Sequence, residues 1–293
     1  WTFRRSSHWE EPGYSFALAE DGGELIGILE GIPFSFNSFG TLSSGIWIAN
    51  YVIRPDYRKG PTALQLLSVF RNLSRHAVVA SGINPATSAI YRVLRGEVLP
   101  YLPRRFALFP GAEERLRNLL AIAYPDWEAA RVRAFSERFV RPQELEDSIA
   151  HGTSLPECWD RLDWPAIARQ TIGAARDADY LRWRYLDHPR FSYRLVTVAE
   201  GARTGLLVGR LETIRESTPA GRRDVDRIAR IVELLPVSPE NGRRLLAAGV
   251  RAMRAAGALG ADFYGYHAGA NRCLEEAGFL DSGAIEDGDR LPS

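Results

Sequence analysis

The chain has 293 residues, 45% hydrophobic and 25% charged, with 37 basic and 36 acidic side chains. That length accommodates two domains of ordinary size with a sizeable core, and the composition excludes a disordered or fibrous protein. A net charge of +1 gives no footing for nucleic acid or an anionic membrane surface as a partner. Cys158 and Cys273 are the only cysteines, without CxxC or Cys/His ligand spacing. Neither a disulfide framework nor a metal site is expected, and a reducing, cytoplasmic compartment is. No apolar run reaches the ~18 residues of a membrane span, and no charged-then-apolar leader opens the chain. Trp1 stands where a methionine would, so further residues are expected upstream.

In chain order, residues 14–20 and 24–34 read as two strands around the turn Asp21-Gly22-Gly23. Residues 47–53 (WIANYVI) are β-branched and aromatic and read as a third strand. The chain breaks at Arg54-Pro55-Asp56-Tyr57 and again at Arg58-Lys59-Gly60-Pro61. A helix from Pro61 to Arg75 follows, with Leu64, Leu66, Leu67 and Phe70 on one face. Residues 76–81 read as a fourth strand, and Asn84 opens a short helix that carries Tyr91. Residues 97–109 hold two short extended pieces broken by Pro100 and Pro103. From 110 to 175 helical periodicity takes over, in 113–123 and 127–140, with Pro142, Pro156 and Pro165 punctuating the rest.

Strand-and-turn grammar returns near residue 176. A short helix spans 176–186. Residues 193–199 and 205–214 read as a strand pair, and 228–237 as a further strand. Ser238 caps a helix that begins with Pro239 and runs to about Ala256. Residues 261–267 are a strand and 269–277 a short helix ending at Gly278-Phe279. The two halves repeat one grammar: strand pair, strand, long helix, strand, short helix. The expected fold class is α/β (α+β), with two units, each a mixed, mostly antiparallel sheet flanked by helices. The expected boundaries are 1–110, a helical connector 111–175, and 176–293.

A strand feeding a basic turn at a helix start is a physical anion site, because the first helical N–H groups lack internal partners and the macrodipole is positive there. The segment from Val52 to Leu64, through Arg58, Lys59, Gly60, Pro61, Thr62 and Ala63, resembles the acyl-CoA-binding motif of the GNAT superfamily of N-acyltransferases. The segment from Asn84 to Tyr91 is similar to the next GNAT motif, in which Asn opens a helix and Tyr follows seven residues on. The turn is one residue shorter than is usual in that family, Thr62 stands where a second glycine is common, and Arg95-Gly96 stands where Gly-Phe is usual. The second half also resembles a GNAT unit but has no phosphate turn at 236–242; Leu274 occupies the position of Tyr91, and His267 that of Asn84.

The resemblance implies a tandem GNAT protein using acetyl-CoA, or another acyl-CoA, as co-substrate, and acylating a primary amine of a small molecule or sugar. Backbone groups of Tyr51, Val52 and Ile53 would pair with the pantetheine, and Arg58, Lys59, Gly60, Pro61, Thr62 and Ala63 would cradle the pyrophosphate. Asn84 would stand beside the cofactor or serve as a plain helix cap. Tyr91 would be the acid for the leaving thiolate, or a packed helix tyrosine. Glu30 and Glu233 each interrupt an apolar strand and are candidate bases, or are carboxylates turned to solvent or paired with a residue such as Arg230. The rival readings are a GNAT-shaped binding or scaffold protein without catalysis and a Fem-type aminoacyl transferase.

Overall fold

A computed structural model describes residues 16–73, 77–99, 102–139, 162–265 and 267–282. Cys158, Pro142 and Pro156 lie outside the described residues. The chain divides into two compact units. One takes the described residues up to Leu99 together with Trp164–Arg190; the other takes the described residues of 102–163 and of 191–282.

The first unit is built on β1 (Phe16–Asp21), β2 (Glu24–Ser38), β3 (Thr41–Ile53) and β4 (Ala77–Ala80), hydrogen-bonded in that order. β1–β2 and β2–β3 are antiparallel, whereas β3–β4 is parallel. Gly22 and Gly23 both have positive φ, as a tight two-residue hairpin of this hand requires. The β2–β3 ladder continues through residues 35–46 to Ser38↔Thr41, well past the strand limits expected from sequence. Its turn is Phe39-Gly40, without the Asn-Gly signature, and is held by Asn37. That buried side chain receives the Gly40 amide (2.9 Å) and donates to the Thr171 carbonyl (2.6 Å). The short β6 (Ile172–Ala174) adds to this end of β2.

Helix α1 (Thr62–Leu73) makes the crossover between the parallel strands. Its Leu66, Leu67 and Phe70 pack with Leu29, Ile46 and Ile48 of the sheet. Gly31 makes this close seating possible, since a Cβ there would lie 2.4 Å from Phe70 Cε1. Helix α2 (Pro85–Val93) follows β4 and packs Ile90, Tyr91 and Leu94 on the same cluster. It closes with the Arg95 amide bonded to the Arg92 carbonyl and the Gly96 amide to the Tyr91 carbonyl, the paired bonds of a left-handed C-terminal cap. Arg95 holds φ at 61°, where a glycine is the usual occupant. Helix α5 (Trp164–Arg169) and helix α6 (Ala178–Leu181), which continues as a π turn over Arg182–Leu186, complete this unit.

The second unit carries β5 (Arg104–Leu108), β7 (Arg194–Glu200), β8 (Arg203–Thr218), β9 (Gly221–Leu235), β10 (Gly260–Tyr264) and β11 (Leu280–Asp281), in the order β11-β5-β10-β9-β8-β7. Only β9–β10 is parallel. Helix α7 (Pro239–Ala255) and helix α8 (Ala268–Glu276) cover one face, where Leu245, Leu246 and Met253 meet Val196, Leu207 and Ile231. Helix α3 (Glu113–Ala123) and helix α4 (Ala129–Glu137) cover the other, with Leu116, Leu120 and Phe135 against Phe106, Leu108 and Ile228.

The α/β class with two mixed sheets flanked by helices is as the sequence implied. The divisions fall elsewhere than at 110 and 175. Among the described residues, the pieces at 97–109 contain one strand, β5, and it pairs with β10 in the second sheet. The helices after 110 belong to that same unit, because their apolar faces bury Phe106 and Leu108. The helix expected over 176–186 goes to the first unit.

The left-handed cap gives a direct test. A side chain in that conformation costs roughly 1–2 kcal/mol, partly offset by the extra freedom glycine gives the unfolded chain. Arg95→Gly is therefore expected to raise unfolding stability by roughly 0.5–1 kcal/mol in urea titration; a loss of stability would show that the Arg95 side chain makes contacts worth more than its backbone strain.

Candidate functional site

The candidate donor site of the first unit begins with one extra residue in β3. Register runs Gly31↔Ile48 and then Glu30↔Asn50, so Ala49 is bulged out of the ladder. The bulge changes parity: Ile46 and Ile48 face α1 before it, and Tyr51 and Ile53 pack on that side after it. It also marks where the parallel strands part, since the last β3–β4 pair is Ile48↔Ala80. Beyond it β3 runs on through Ile53 beside β2 alone, among the described residues. The Arg54 amide donates to the Ile26 carbonyl of β2 at 2.9 Å. Alternation then turns the N–H groups of Tyr51 and Ile53 the other way, toward the gap.

The turn after β3 closes tightly on itself. A 3-10 turn spans Pro55–Tyr57, and the Gly60 amide returns to the Tyr57 carbonyl at 3.2 Å. Arg54 is paired with Glu24 at 2.6 Å, and the Tyr57 hydroxyl donates to Asp21 at 2.9 Å. Arg58 Nε takes the Ile53 carbonyl at 3.0 Å, so this cation caps the strand end rather than standing wholly free. Lys59 is exposed. The first helical bond of α1 runs from the Gln65 amide to the Pro61 carbonyl at 3.0 Å. The amides of Thr62, Ala63 and Leu64 precede it and have no helical acceptor, and Pro61 has no side-chain oxygen to cap them. No acidic residue stands in that first turn. Gly60 needs no special backbone, and a Cβ there would meet only the Tyr57 carbonyl oxygen at 3.5 Å.

The sites expected to hold an acyl-CoA are thus contiguous: Tyr51, Val52 and Ile53 on the unpaired edge, then Arg58, Lys59, Gly60 and Pro61 in the turn, then Thr62 and Ala63 at the helix start. Such a cradle suits an extended amide chain ending in a pyrophosphate, through strand-like pairing and unpartnered helical amides. Val52 points to the face opposite α1 and is exposed.

Tyr51 ties the two parts together. Its hydroxyl donates to the Ala63 carbonyl in the first turn of α1 at 2.6 Å. Burial first, and proximity to Tyr91 second, push its phenol far above the usual tyrosine range. Tyr91 is half-buried, and burial raises its phenol as well, so it remains protonated at neutral pH. Asn84 is the N-cap of α2: its Oδ1 receives the Thr87 amide at 2.8 Å and the Thr87 hydroxyl at 3.0 Å. A helix cap is therefore the role its geometry displays.

Glu30 lies opposite Asn50 at the bulge, and the Asn50 amide donates to its carboxylate. Asn50 was not among the residues singled out by sequence; the signal was a polar amide inside the apolar run WIANYVI. Glu233 belongs to the other unit, buried in β9 opposite Val208. The Arg230 partner expected for it is engaged elsewhere, with Asp262 and Glu212.

β9 repeats the geometry of β3 without the open helix start. Its last parallel pair is Ile231↔Phe263, and the register then skips Val232, leaving Glu233 opposite Val208. His267 stands four residues after Phe263, as Asn84 stands four after Ala80, and its Nδ1 caps α8 by receiving the Ala270 amide at 2.9 Å. The start of α7 is filled by its own side chains. Ser238 receives the Asn241 amide (3.1 Å), Asn241 is fully buried and receives the Val237 amide, and Glu240 adds negative charge in the first turn. At Gly242 a Cβ would lie 2.3 Å from Cys273 Sγ, so α7 and α8 are in close contact there. Cys273 is a buried thiol raised first by desolvation, the signature of packing rather than nucleophilic chemistry.

Among the described residues no helix is long and apolar enough to cross a membrane, and no group of three or more metal-ligating side chains converges. No protein-family model matches the sequence, and no curated protein does. Solved structures do resemble it. N-myristoyltransferase of Saccharomyces cerevisiae, with bound myristoyl-CoA, aligns over 94% of this chain and 69% of its own, with a TM-score of 0.55 at 12% identity. A GCN5-related N-acetyltransferase from Anabaena variabilis aligns over 85% of this chain and 55% of its own, with a TM-score of 0.51 at 14% identity. The chain therefore spans about half the length of the second of these. Such identities speak for architecture, and the chain has the fold of the GNAT superfamily.

Proposed function

We propose that the chain is an acyl-CoA-dependent N-acyltransferase acting on a primary amine, with the donor held by the first unit. The observation that carries this reading is the edge of β3 beyond Ala49, where, among the described residues, the amides of Tyr51 and Ile53 have no strand partner, followed by a helix start whose first amides have no helical acceptor. The fold likeness to an N-myristoyltransferase with bound myristoyl-CoA supports the same donor class.

An acyl-CoA thioester supplies an activated acyl group to a primary amine. The residues of this chain would do the rest by position and polarity. Amides of Tyr51 and Ile53 fix the donor along β3, and the amides of Thr62, Ala63 and Leu64 hold the pyrophosphate, with Lys59 beside them. Tyr91 sits beside Tyr51 and keeps its hydroxyl proton. A phenol above 10 is a weaker acid than a thiol near 8.5, so full transfer to the leaving sulfur is uphill and Tyr91 acts there as a hydrogen-bond donor. The proton that the sulfur finally takes originates on the attacking amine. Glu30, at the bulge and reachable from solvent, is the base of this unit that can receive that proton first. Acetyl is the proposed acyl group, and a small-molecule or sugar amine the proposed acceptor.

Two measurements test the assignment. Acetyl-CoA is expected to raise the melting temperature saturably by linkage. Gly60→Trp should weaken that binding at least ~10-fold, about 1.4 kcal/mol, with an unchanged melting temperature in the absence of ligand, because a Cβ fits at Gly60. A shift that survives the substitution would move the donor elsewhere. At saturating donor and amine, Tyr91→Phe should lower turnover about 10- to 100-fold, the worth of a hydrogen bond to a charged group, with little change in acetyl-CoA affinity. Unchanged turnover would return Tyr91 to packing.

A further inference from the structure

The face of the first sheet turned away from α1 carries one carboxylate among apolar side chains. Leu29 is buried on the α1 side, and a Cβ at Gly31 would strike Phe70 of α1, so alternation sends Glu30 and Ile32 of β2 to the outer face. Ile46, Ile48 and Tyr51 pack toward α1, which puts Trp47, Asn50 and Val52 of β3 on that outer face as well. In β1 the buried Ala17 leaves Phe16 and Leu18 there. Phe16, Glu30 and Asn50 form one row across the three strands, and Leu18, Ile28 and Val52 form the next. On the other side of Glu30, Ile32 stands opposite Trp47. Glu30 is the only charged side chain in these rows.

The face is open around that carboxylate. Leu18 and Val52 are each 56% exposed and Trp47 is 38% exposed, and exposed apolar surface of this kind marks an interaction or ligand site. Trp47 is braced from behind. Gly45 makes a floor for the Phe34 ring, whose Cζ would lie 2.7 Å from a Cβ there. Phe34 in turn meets the Trp47 ring edge to face, at 6.4 Å between centroids and 65°. Glu30 Oε2 accepts from the Asn50 amide, and among the described residues Oε1 has no protein partner. A carboxylate set among hydrocarbon and given only a neutral donor favours a cation at its remaining oxygen. Glu30 and Trp47 are diagonal neighbours, about 7–8 Å apart by strand geometry. An ammonium joined to a ring by two or three methylenes covers that span, and indole is the best of the aromatic faces for a cation nearby.

We propose that this face binds the amine acceptor and that the acceptor is an arylalkylamine, with its ammonium against Glu30 and its ring against Trp47. A sugar amine is disfavoured, because its hydroxyls would meet Ile28, Ile32 and Val52 and find no partners. That the bound amine is the acceptor rests on the acyltransferase reading; the binding itself depends only on the outer face of the sheet.

Calorimetric titration of the full chain at neutral pH with 2-phenylethylamine, 2-phenylethanol, ethylamine and glucosamine tests this. It is run without and with saturating CoA, which has no acyl group to transfer. Phenylethylamine should bind saturably in at least one of the two states, with a dissociation constant on the order of a millimolar as expected of so small a ligand. It should bind at least ~10-fold more tightly than the neutral alcohol, which lacks the charge, and than ethylamine, which lacks the ring. Glucosamine should show no binding at the same concentrations. Glu30→Gln keeps an oxygen for Asn50 and removes the charge, so it should bring phenylethylamine down to the affinity of the alcohol. Trp47→Ala truncates an exposed side chain and should bring it down to that of ethylamine. Equal binding of amine and alcohol to the wild-type protein, absence of saturable amine binding in both states, or an amine affinity unchanged by Glu30→Gln would overturn the proposal. A failure of acetyl-CoA to bind would bear on the donor assignment alone, so the two readings fail separately.

Discussion

The proposed donor site depends on a single inserted residue, Ala49, and on what it does to two neighbouring strands. Strands in a sheet satisfy their amides with each other, and an unsatisfied row of them in a protein interior is costly. By bulging directly after the Ile48↔Ala80 pair, β3 turns away from β4 where it still has residues to run. That leaves the amides of Tyr51 and Ile53 facing a gap, beside a helix start whose first amides are also without helical acceptors. Tyr51 then locks this arrangement, because its hydroxyl is bonded across to the Ala63 carbonyl. The parity change matters as much as the gap. Without the bulge, Asn50 and Val52 would face α1, and a polar amide would enter a cluster of Leu66, Leu67 and Phe70.

The second unit has the same bulge and spends it differently. Val232 is skipped directly after the last parallel pair of β9, but the helix that follows starts with Ser238, Glu240 and a fully buried Asn241. Those side chains satisfy the amides that α1 leaves open, and Glu240 opposes any anion there. One backbone device thus sits beside two helix starts of opposite electrostatic character. What the second unit offers instead is a buried charge row anchored on Asp262, whose carboxylate accepts from both Arg104 and Arg230.

Much of the proposed donor site could be read from residues in sequence order, because it is local. The basic turn, the proline before α1, Asn84 as a helix cap and Ser238 as another are all signalled within a few positions. The bulge was not legible: WIANYVI reads as a smooth apolar strand, and a one-residue slip becomes visible only against the partner strand. The extension of β2 and β3 through residues 35–46 was masked by serines, glycines and the turn Phe39-Gly40, whose hold on Asn37 comes from Thr171, far along the chain. The home of β5 was equally hidden, since its partner β10 lies some 150 residues away and Arg104 finds its charge in Asp262. Local propensity carries no information about pairings at that separation.

The account stands on the edge of β3 being a binding edge. Amide hydrogen exchange, followed residue by residue with and without saturating acetyl-CoA, reports on it directly. If the edge pairs with the donor, the amides of Tyr51 and Ile53 should exchange at least ~10-fold more slowly in the complex, the equivalent of about 1.4 kcal/mol of added protection, while the Arg54 amide, already bonded to Ile26, changes less. Saturable acetyl-CoA binding that leaves Tyr51 and Ile53 exchanging as they do in the free protein would contradict the account.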